Sequence, residues 1–186
     1  MWWIILIVVV ALVLFYVYEH NRLQRLNMQV NQSGSDIDVQ LKKRADLIPN
    51  LISTVKGAVN AERGTLERVT KYRTQILDGV DKKDYNAALQ ASNNLTTVLN
   101  ATAESYPELH TNQNFMQLSE TMTTIANQIA SCQSAYNSCV ADYNLAVQNI
   151  PSSFVAKMMN LKEKDAMIQA TSEEKQNVNV NFDDLK

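Results

Sequence analysis

Histidine and cysteine are the side chains that most often carry catalysis or bind transition metals at neutral pH, and this chain has two of each. His20 and His110 lie far apart, and neither pairs with a cysteine or carboxylate at ligand spacing. Serine, aspartate and glutamate are plentiful, but no histidine stands where it would activate a nucleophile. The four glycines are scattered, so no glycine-rich phosphate loop exists. We therefore expect a protein that is not an enzyme and uses no cofactor or metal.

The two cysteines, Cys132 and Cys139, are seven residues apart. On one helix this spacing is about 10 Å, which is too far for a disulfide between them. We interpret both as small side chains of a helical contact face, with pairing between subunits as the alternative. Two cysteines in a chain of this length form no disulfide framework, which favours a reducing compartment.

Composition and charge limit the fold and the partners. Residues 19–186 contain all four glycines and all three prolines of the chain, and they are rich in Ala, Leu, Gln, Asn and Lys. This composition is typical of one nearly all-helical domain. A formal net charge of −2 argues against nucleic acid as a partner.

The elements that position these residues begin with an uncharged apolar run, Met1–Tyr18. About 17 residues at 1.5 Å each span roughly 26 Å, close to the hydrocarbon thickness of a bilayer. Its aliphatic residues and phenylalanine favour insertion by on the order of 4–7 kcal/mol. A cleaved signal peptide would need a basic start and a cleavage site, and neither is present. We therefore predict a membrane anchor rather than a buried core helix, carried by Trp2, Trp3, Ile4, Leu6, Val9, Leu12, Phe15 and Tyr18.

Basic residues set the predicted orientation of this anchor. Only the terminal amine precedes the run, whereas Arg22, Arg25 and Lys42–Arg44 follow it. The positive-inside rule then places residues 19–186 in the cytoplasm. We predict a single-pass protein of the inner (cytoplasmic) membrane with a short N-terminus outside.

Helical periodicity continues from Glu19, so the anchor and the first bundle helix are expected to form one rod. Ser33-Gly34-Ser35 is a soft spot in it, because glycine and serine weaken a helix interior and permit close packing or a bend.

A break or sharp kink is predicted near residues 45–48. Lys42–Arg44 suits the last turn of a helix, Asp46 is a natural N-cap, and Pro49 is tolerated in a first turn but not in a helix interior. The basic triplet is expected to be a solvated helix end, with binding of acidic lipid or a partner as the alternative.

Three further helices are predicted from apolar residues at helical spacing, at Pro49–Leu77, Tyr85–Ser105 and Asn114–Asn149. Asp78-Gly79 is expected to end the first of them, because glycine fits the left-handed position after a helix. Caps for the other two are expected from Asp81 or Asp84 and from Asn112 or Asn114.

The last of these helices has the most regular pattern. Its apolar positions alternate steps of four and three residues over more than four heptads, which is typical of an a/d packing seam. The seam comprises Leu118, Met122, Ile125, Ile129, Cys132, Tyr136, Cys139 and Tyr143. Tyr136-Asn137 and Tyr143-Asn144 repeat one heptad apart, and each tyrosine hydroxyl needs a partner.

The predicted fold is all-α: an N-terminal transmembrane helix (1–18), an antiparallel four-helix, up-and-down-like bundle with coiled-coil-like packing (19–150), and a C-terminal tail (151–186). The tail is expected to be peripheral or partly ordered. Its short apolar segment Phe154–Met159 would return to the bilayer face in such a bundle, so we expect it to contact the membrane or a neighbouring subunit.

The stretch Asp36–Leu51, followed by Thr54-Val55-Lys56-Gly57, resembles the signature block of the LemA family. Other blocks of that family are similar to Ala103–Leu109, Asn112–Phe115 and the two Tyr-Asn pairs. The resemblance covers roughly residues 20–150, and its motif residues are Asp38, Leu41, Arg44, Asp46, Pro49 and Asn50. It implies an N-terminally anchored cytoplasmic bundle with no established biochemical activity, and a branch of the family is linked to building magnetosome membranes.

Two functions fit these features. The first is a structural protein whose anchor and bundle self-associate into a homo-oligomer that organises or shapes the lipid bilayer. The second is an adaptor that presents the bundle to a cytoplasmic or membrane protein partner. A pore lined by the anchors is disfavoured, because Met1–Tyr18 offers no polar stripe.

Overall fold

A computed structural model describes residues 2–59 and 62–164, which are all-helical with no strand within those ranges. These described residues form five α-helices and one short 3-10 helix. They are α1 (Trp2–Ala58), α2 (Arg63–Asp81), α3 (Tyr85–Ser105), the 3-10 helix (Pro107–Thr111), α4 (Gln113–Gln148) and α5 (Ser152–Met158). Residues 165–186, most of the predicted tail, lie outside the described part of the chain.

Helix α1 is a single helix of 57 residues, about 86 Å long at 1.5 Å per residue. It is the one helix of the described residues whose length and composition suit a membrane span. Its apolar 18-residue window is only 6% buried, whereas the core helix of a soluble protein would be mostly buried. The expected rod from Glu19 onward is confirmed, and the helix passes Ser33-Gly34-Ser35 without interruption.

The polar part of α1 packs along α4. Leu23 shares a buried cluster with Ala146, Val30 with Tyr143, and Leu51 and Val55 with Phe115. Helices α2 and α3 form a hairpin that packs on α1 mainly through α2. The central core takes buried side chains from α1, α2, α3 and α4: Ile37, Leu41, Ala45, Ile48, Val69, Ile76, Val80, Ala88, Leu89, Ala91, Leu95, Met122, Ile125 and Ile129.

The predicted break near residues 45–48 is wrong, because α1 continues through Asp46 and Pro49 to Ala58. A proline inside a helix leaves the carbonyl four residues earlier without its N–H donor. Here Arg73 of α2 replaces that donor, since its Nε donates to the Ala45 carbonyl at 3.1 Å. The second predicted helix therefore starts at Arg63 rather than at Pro49, and Asp46 is an exposed helical residue instead of an N-cap.

The predicted helix end at Asp78-Gly79 is also wrong, because α2 continues to Asp81. Gly79 is buried against α3, and a Cβ there would lie 2.8 Å from the Cβ of Ala88. The left-handed position after the helix is taken by Lys83, with a φ of 58°. Glycine at position 79 thus permits close packing of α2 on α3 rather than chain reversal.

The predictions for α3 and α4 are confirmed. Helix α3 has the predicted bounds, and the side chain of Asp84 accepts from the N–H of Ala87 at 3.0 Å. Helix α4 begins and ends within one residue of the prediction, and Asn112 accepts from the N–H of Phe115 at 3.0 Å. Both helices begin at local side-chain caps.

Candidate functional site

The motif stretch of α1 divides between two faces of the helix. Leu41 and Arg44 are buried, and Asp38 is 9% exposed. Asp46, Pro49 and Asn50 face outward and are not brought together with them. The buried half therefore forms the candidate site, where polar side chains of α1 meet the α2–α3 hairpin.

Arg44 is the most deeply buried cation of the site, with 3% of its surface exposed, so its expected role in a solvated helix end is wrong. Its Nη1 donates to Ser92 Oγ at 2.5 Å, and its Nη2 donates to Thr96 Oγ1. Among the described residues, no carboxylate forms an ion pair with it, and its Nε is buried without a partner.

Burial lowers the pKa of Arg44 to about 10, so the guanidinium is still a cation at neutral pH. A buried charge with only hydroxyl partners costs stability, because neutral groups replace part of its lost hydration but none of its missing countercharge. The α1 and α3 backbones approach each other at few positions, and the long Arg44 side chain spans the gap between them. The two hydrogen bonds from Arg44 therefore hold α3 against α1.

Asp38 holds the turn between α2 and α3. Its Oδ2 lies 2.5 Å from Nζ of Lys83, the residue in the left-handed conformation. The hydrogen bond to the Asp38 carboxylate raises the pKa of Lys83. Asp38 is largely buried, whereas the Lys83 side chain is 61% exposed. The turn between α2 and α3 therefore supplies the positive charge that pairs with the buried Asp38 carboxylate.

Two tyrosines cover Gly34 one turn before Asp38. The rings of Tyr85 and Tyr136 meet edge to face with centroids 5.5 Å apart. A Cβ at position 34 would lie 2.6 Å from the Tyr85 hydroxyl oxygen. Burial raises the pKa of both phenols, so both are neutral at physiological pH. The predicted soft spot is therefore a place of close packing, where α1 continues as a helix.

A cleft of about 470 Å³ opens beside these rings, and we call it the tyrosine cleft. It lies between α1, the α2–α3 turn, α4 and the chain after α5. Its lining includes Val30, Ser35, Lys83, Tyr85, Tyr136 and Lys164. It offers aromatic faces and ammonium groups, and Asp84 adds a carboxylate at the rim.

The other predicted site residues fall into three groups. The anchor residues Trp2, Trp3, Ile4, Leu6, Val9, Leu12, Phe15 and Tyr18 are all exposed along α1. In the seam, Met122, Ile125, Ile129 and Tyr143 are buried, and Leu118, Cys132, Tyr136 and Cys139 are half-buried. Both cysteines are free thiols, and burial raises the pKa of Cys132.

The histidines remain apart, because His20 lies at the start of the packed part of α1 and His110 is exposed in the 3-10 helix. Within residues 2–59 and 62–164, no group of three or more His, Cys, Asp or Glu side chains could hold a metal ion.

Sequence reasoning missed Ser92, Thr96 and Lys83 as partners of the motif. A signal for the burial of Arg44 was present, since Leu41, Arg44 and Ile48 follow the three-and-four spacing of one helix face. The partners are the hydroxyl groups of Ser92 and Thr96 for Arg44 and the ammonium group of Lys83 for Asp38, all from distant parts of the chain that helical spacing does not locate.

Known proteins are similar to the part of the chain that contains this site. The LemA family profile matches residues 33–182. A curated relative, Protein LemA of Metamycoplasma hominis, is 24% identical over 164 residues, which are 88% of this chain and 74% of the relative. The family match includes the buried motif residues and all of α2, α3, α4 and α5.

Proposed function

The chain belongs to the LemA family, and we propose that it is a non-enzymatic, membrane-anchored structural protein whose copies associate and organise the bilayer. The observation that carries this proposal is the continuity of α1. One helix contains both the exposed apolar segment 2–18 and the buried residues of the bundle. The lipid bilayer and further copies of the chain are the proposed partners.

The junction between anchor and bundle is short. Leu23, fully buried, follows Tyr18 by five residues, which is about 7.5 Å along the helix axis. No flexible linker separates the two parts, so the anchor fixes how the bundle is tilted and turned. Such rigidity suits copies that must pack side by side, whereas a tethered adaptor gains reach from a flexible linker.

Exposed apolar side chains lie at the same end of the bundle. Leu145, Ile150, Phe154 and Met158 are between 56% and 78% exposed, and we call them the proximal patch. Val155 of α5 packs with Leu23, at the level just beyond Tyr18. The headgroup region of one leaflet is about 5–7 Å thick, so the patch lies where it meets lipid headgroups or a neighbouring copy.

The helix directions that suit this role are those of an antiparallel, up-and-down bundle. The α2–α3 turn lies at Asp38, and the 3-10 helix after α3 shares a cluster with Val55, near the end of α1. Helix α4 then runs back toward Leu23. With Arg22 and Arg25 just after the apolar segment, we place the bundle on the cytoplasmic side of the inner membrane.

The alternative function is an adaptor, which a groove at the far end of α1 favours. Ile52, Val59 and Leu66 form its apolar surface, Lys56 adds a cation, and Arg63 is paired with Glu67 at 3.5 Å. A cytoplasmic or membrane protein with an acidic, apolar helix would fit this surface.

The test is the mass of the full-length protein in detergent, measured by light scattering with electron microscopy of the larger species. We expect a discrete high-order assembly that is lost in residues 20–186, whose folding is checked by circular dichroism. Monomers in both samples would contradict the structural role and favour the adaptor.

A second comparison tests the proximal patch. Serine replaces Ile150, Phe154 and Met158 together, and Met116→Ser is the control because Met116 is 55% exposed but lies at the opposite end of α4. We expect the triple variant alone to lose assembly mass or membrane retention. Unchanged behaviour of the triple variant would remove the patch from the proposal.

A further inference from the structure

We propose that the tyrosine cleft binds this chain's own C-terminal segment, residues 165–186, as an extended peptide. This inference goes beyond the structural role and does not depend on it. The occupant is a continuation of the chain that the structure follows to Lys164, a residue of the cleft lining.

The chain before the cleft is already held through its backbone. The Tyr143 hydroxyl donates to the Lys162 carbonyl at 3.0 Å. The Asn144 side chain accepts from the Lys164 N–H at 2.9 Å and donates to the Lys164 carbonyl at 3.4 Å. A carboxamide that forms hydrogen bonds with both main-chain groups of one residue binds an extended peptide independently of that residue's side chain.

The direction of this segment leads into the cleft. Leu161 packs in the cluster that contains Leu23 and Leu26 of α1. Three residues later, Nζ of Lys164 donates to Asn31 Oδ1 at 3.2 Å. The segment thus advances along α1 away from the apolar end, and the next lining residue of α1 in that direction is Ser35.

The repeat in α4 gives the register. Tyr136-Asn137 precedes Tyr143-Asn144 by one heptad, which is about 10.5 Å along α4. An extended chain covers that distance in about three residues. Residues 165–167 should therefore lie opposite Tyr136, in the same way that residues 162–164 lie opposite Tyr143 and Asn144.

The side chains of the segment suit the lining. Ala166 and Met167 are apolar and would reach the faces of Tyr85 and Tyr136. The ammonium group of Lys164 also lines the cleft, whereas Lys83 is paired with Asp38 and Asp84 adds a carboxylate. The match in apolar surface therefore favours this occupant.

Amide hydrogen exchange of the full-length protein in detergent, followed by mass spectrometry, tests the proposal. Ser35→Trp fills the cleft from an exposed position, and Gln32→Trp places the same ring at an exposed position outside the lining. In the wild type and in Gln32→Trp we expect amides 165–167 to exchange at least about 10-fold more slowly than an unfolded reference. In Ser35→Trp and in Asn144→Ala we expect that protection to be lost while α4 stays protected.

Exchange at the unfolded rate in the wild type, or protection that persists in Ser35→Trp, would overturn the proposal.

A second copy could also supply the segment, and cross-linking distinguishes this case. In an equal mixture of ¹⁵N-labelled and unlabelled protein, carbodiimide should couple carboxylates of residues 165–186 to Lys83 within one isotopic species. If half of the cross-linked products instead join a labelled chain to an unlabelled chain, the segment comes from another copy, and binding within one chain is refuted. Neither readout depends on assembly mass, so failure of this proposal can be distinguished from failure of the proposed structural role.

Discussion

The contact between Arg73 and the Ala45 carbonyl gives a quantitative test of why α1 is unbroken. We expect Arg73→Met to destabilise the bundle, because the carbonyl that Pro49 leaves without an N–H donor then loses its substitute. A hydrogen bond to a charged group contributes about 1.5–3 kcal/mol, and since Arg73 is half-buried we expect a loss near 1–2 kcal/mol.

The matching change is Pro49→Ala, which restores a backbone N–H four residues after Ala45. We expect this variant to be more stable than the wild type by about 1 kcal/mol, since proline in a helix interior is costly and Arg73 compensates only part of the cost. In the Pro49→Ala background, Arg73→Met should cost less than about 0.5 kcal/mol. The coupling between the two sites should therefore be about 1 kcal/mol.

The assay is thermal and denaturant unfolding of the four full-length proteins in detergent, followed by circular dichroism. A loss of 1 kcal/mol corresponds to a fall in Tm of about 2–4 °C for a domain of this size. Arg68→Met is the matched control, because Arg68 is exposed on the same helix and donates to the side chain of Thr65, three residues before it. Equal losses from Arg73→Met in both backgrounds, or a Pro49→Ala variant less stable than the wild type, would refute the explanation.

Three further predictions concern the buried site. Replacing Arg44 with Met should leave the free energy of unfolding unchanged or raise it by about 1–2 kcal/mol, because a buried charge without a countercharge is removed at similar volume; denaturant unfolding that shows a loss above about 2 kcal/mol would contradict this account. The raised pKa of Lys83 means that its bond to Asp38 contributes fully below the unfolded lysine pKa of about 10.5 and is lost as the pH rises through the higher folded value. The stability difference between wild type and Lys83→Met should accordingly shrink in titrations above about pH 10.5, and a constant difference would count against the bond. Gly34→Ala should cost about 1–2 kcal/mol in thermal unfolding, because its Cβ would meet the Tyr85 hydroxyl, and adding Tyr85→Phe should recover part of that loss.

The parts of the fold that the sequence predicted well are those governed by neighbouring residues. Helix α3 is bounded by a local cap from Asp84 and by Pro107 just after its end, and Asn112 caps α4 in the same local way. The break in α1 was predicted wrongly because the group that makes Pro49 tolerable, Arg73, is 28 residues from the carbonyl it serves. Propensity describes the cost of an interior proline but not a donor that tertiary packing supplies.

In the candidate site, too, the sequence predicted local features well and contacts with distant residues poorly. The spacing of Tyr143 predicted that its ring lies in the packing seam of α4, where it is buried, and required a partner for its hydroxyl, but the partner is a backbone carbonyl 19 residues later. Arg44 follows the buried spacing of α1, yet its charge favoured a solvent-exposed assignment. Charge is a good guide to exposure on average, and it fails where a long side chain spans two separated helices.

Because α1 is continuous, the number of residues between the apolar segment and the bundle also sets the direction in which the bundle faces. Each residue of an α-helix adds 1.5 Å of rise and about 100° of rotation. One residue inserted between Tyr18 and Leu23 would therefore turn the entire bundle by more than a quarter of a circle about the apolar segment while raising it only slightly. Seven inserted residues would raise it by about 10.5 Å and leave its facing nearly unchanged. Height above the apolar segment and facing around it are thus set separately by the length of this short junction.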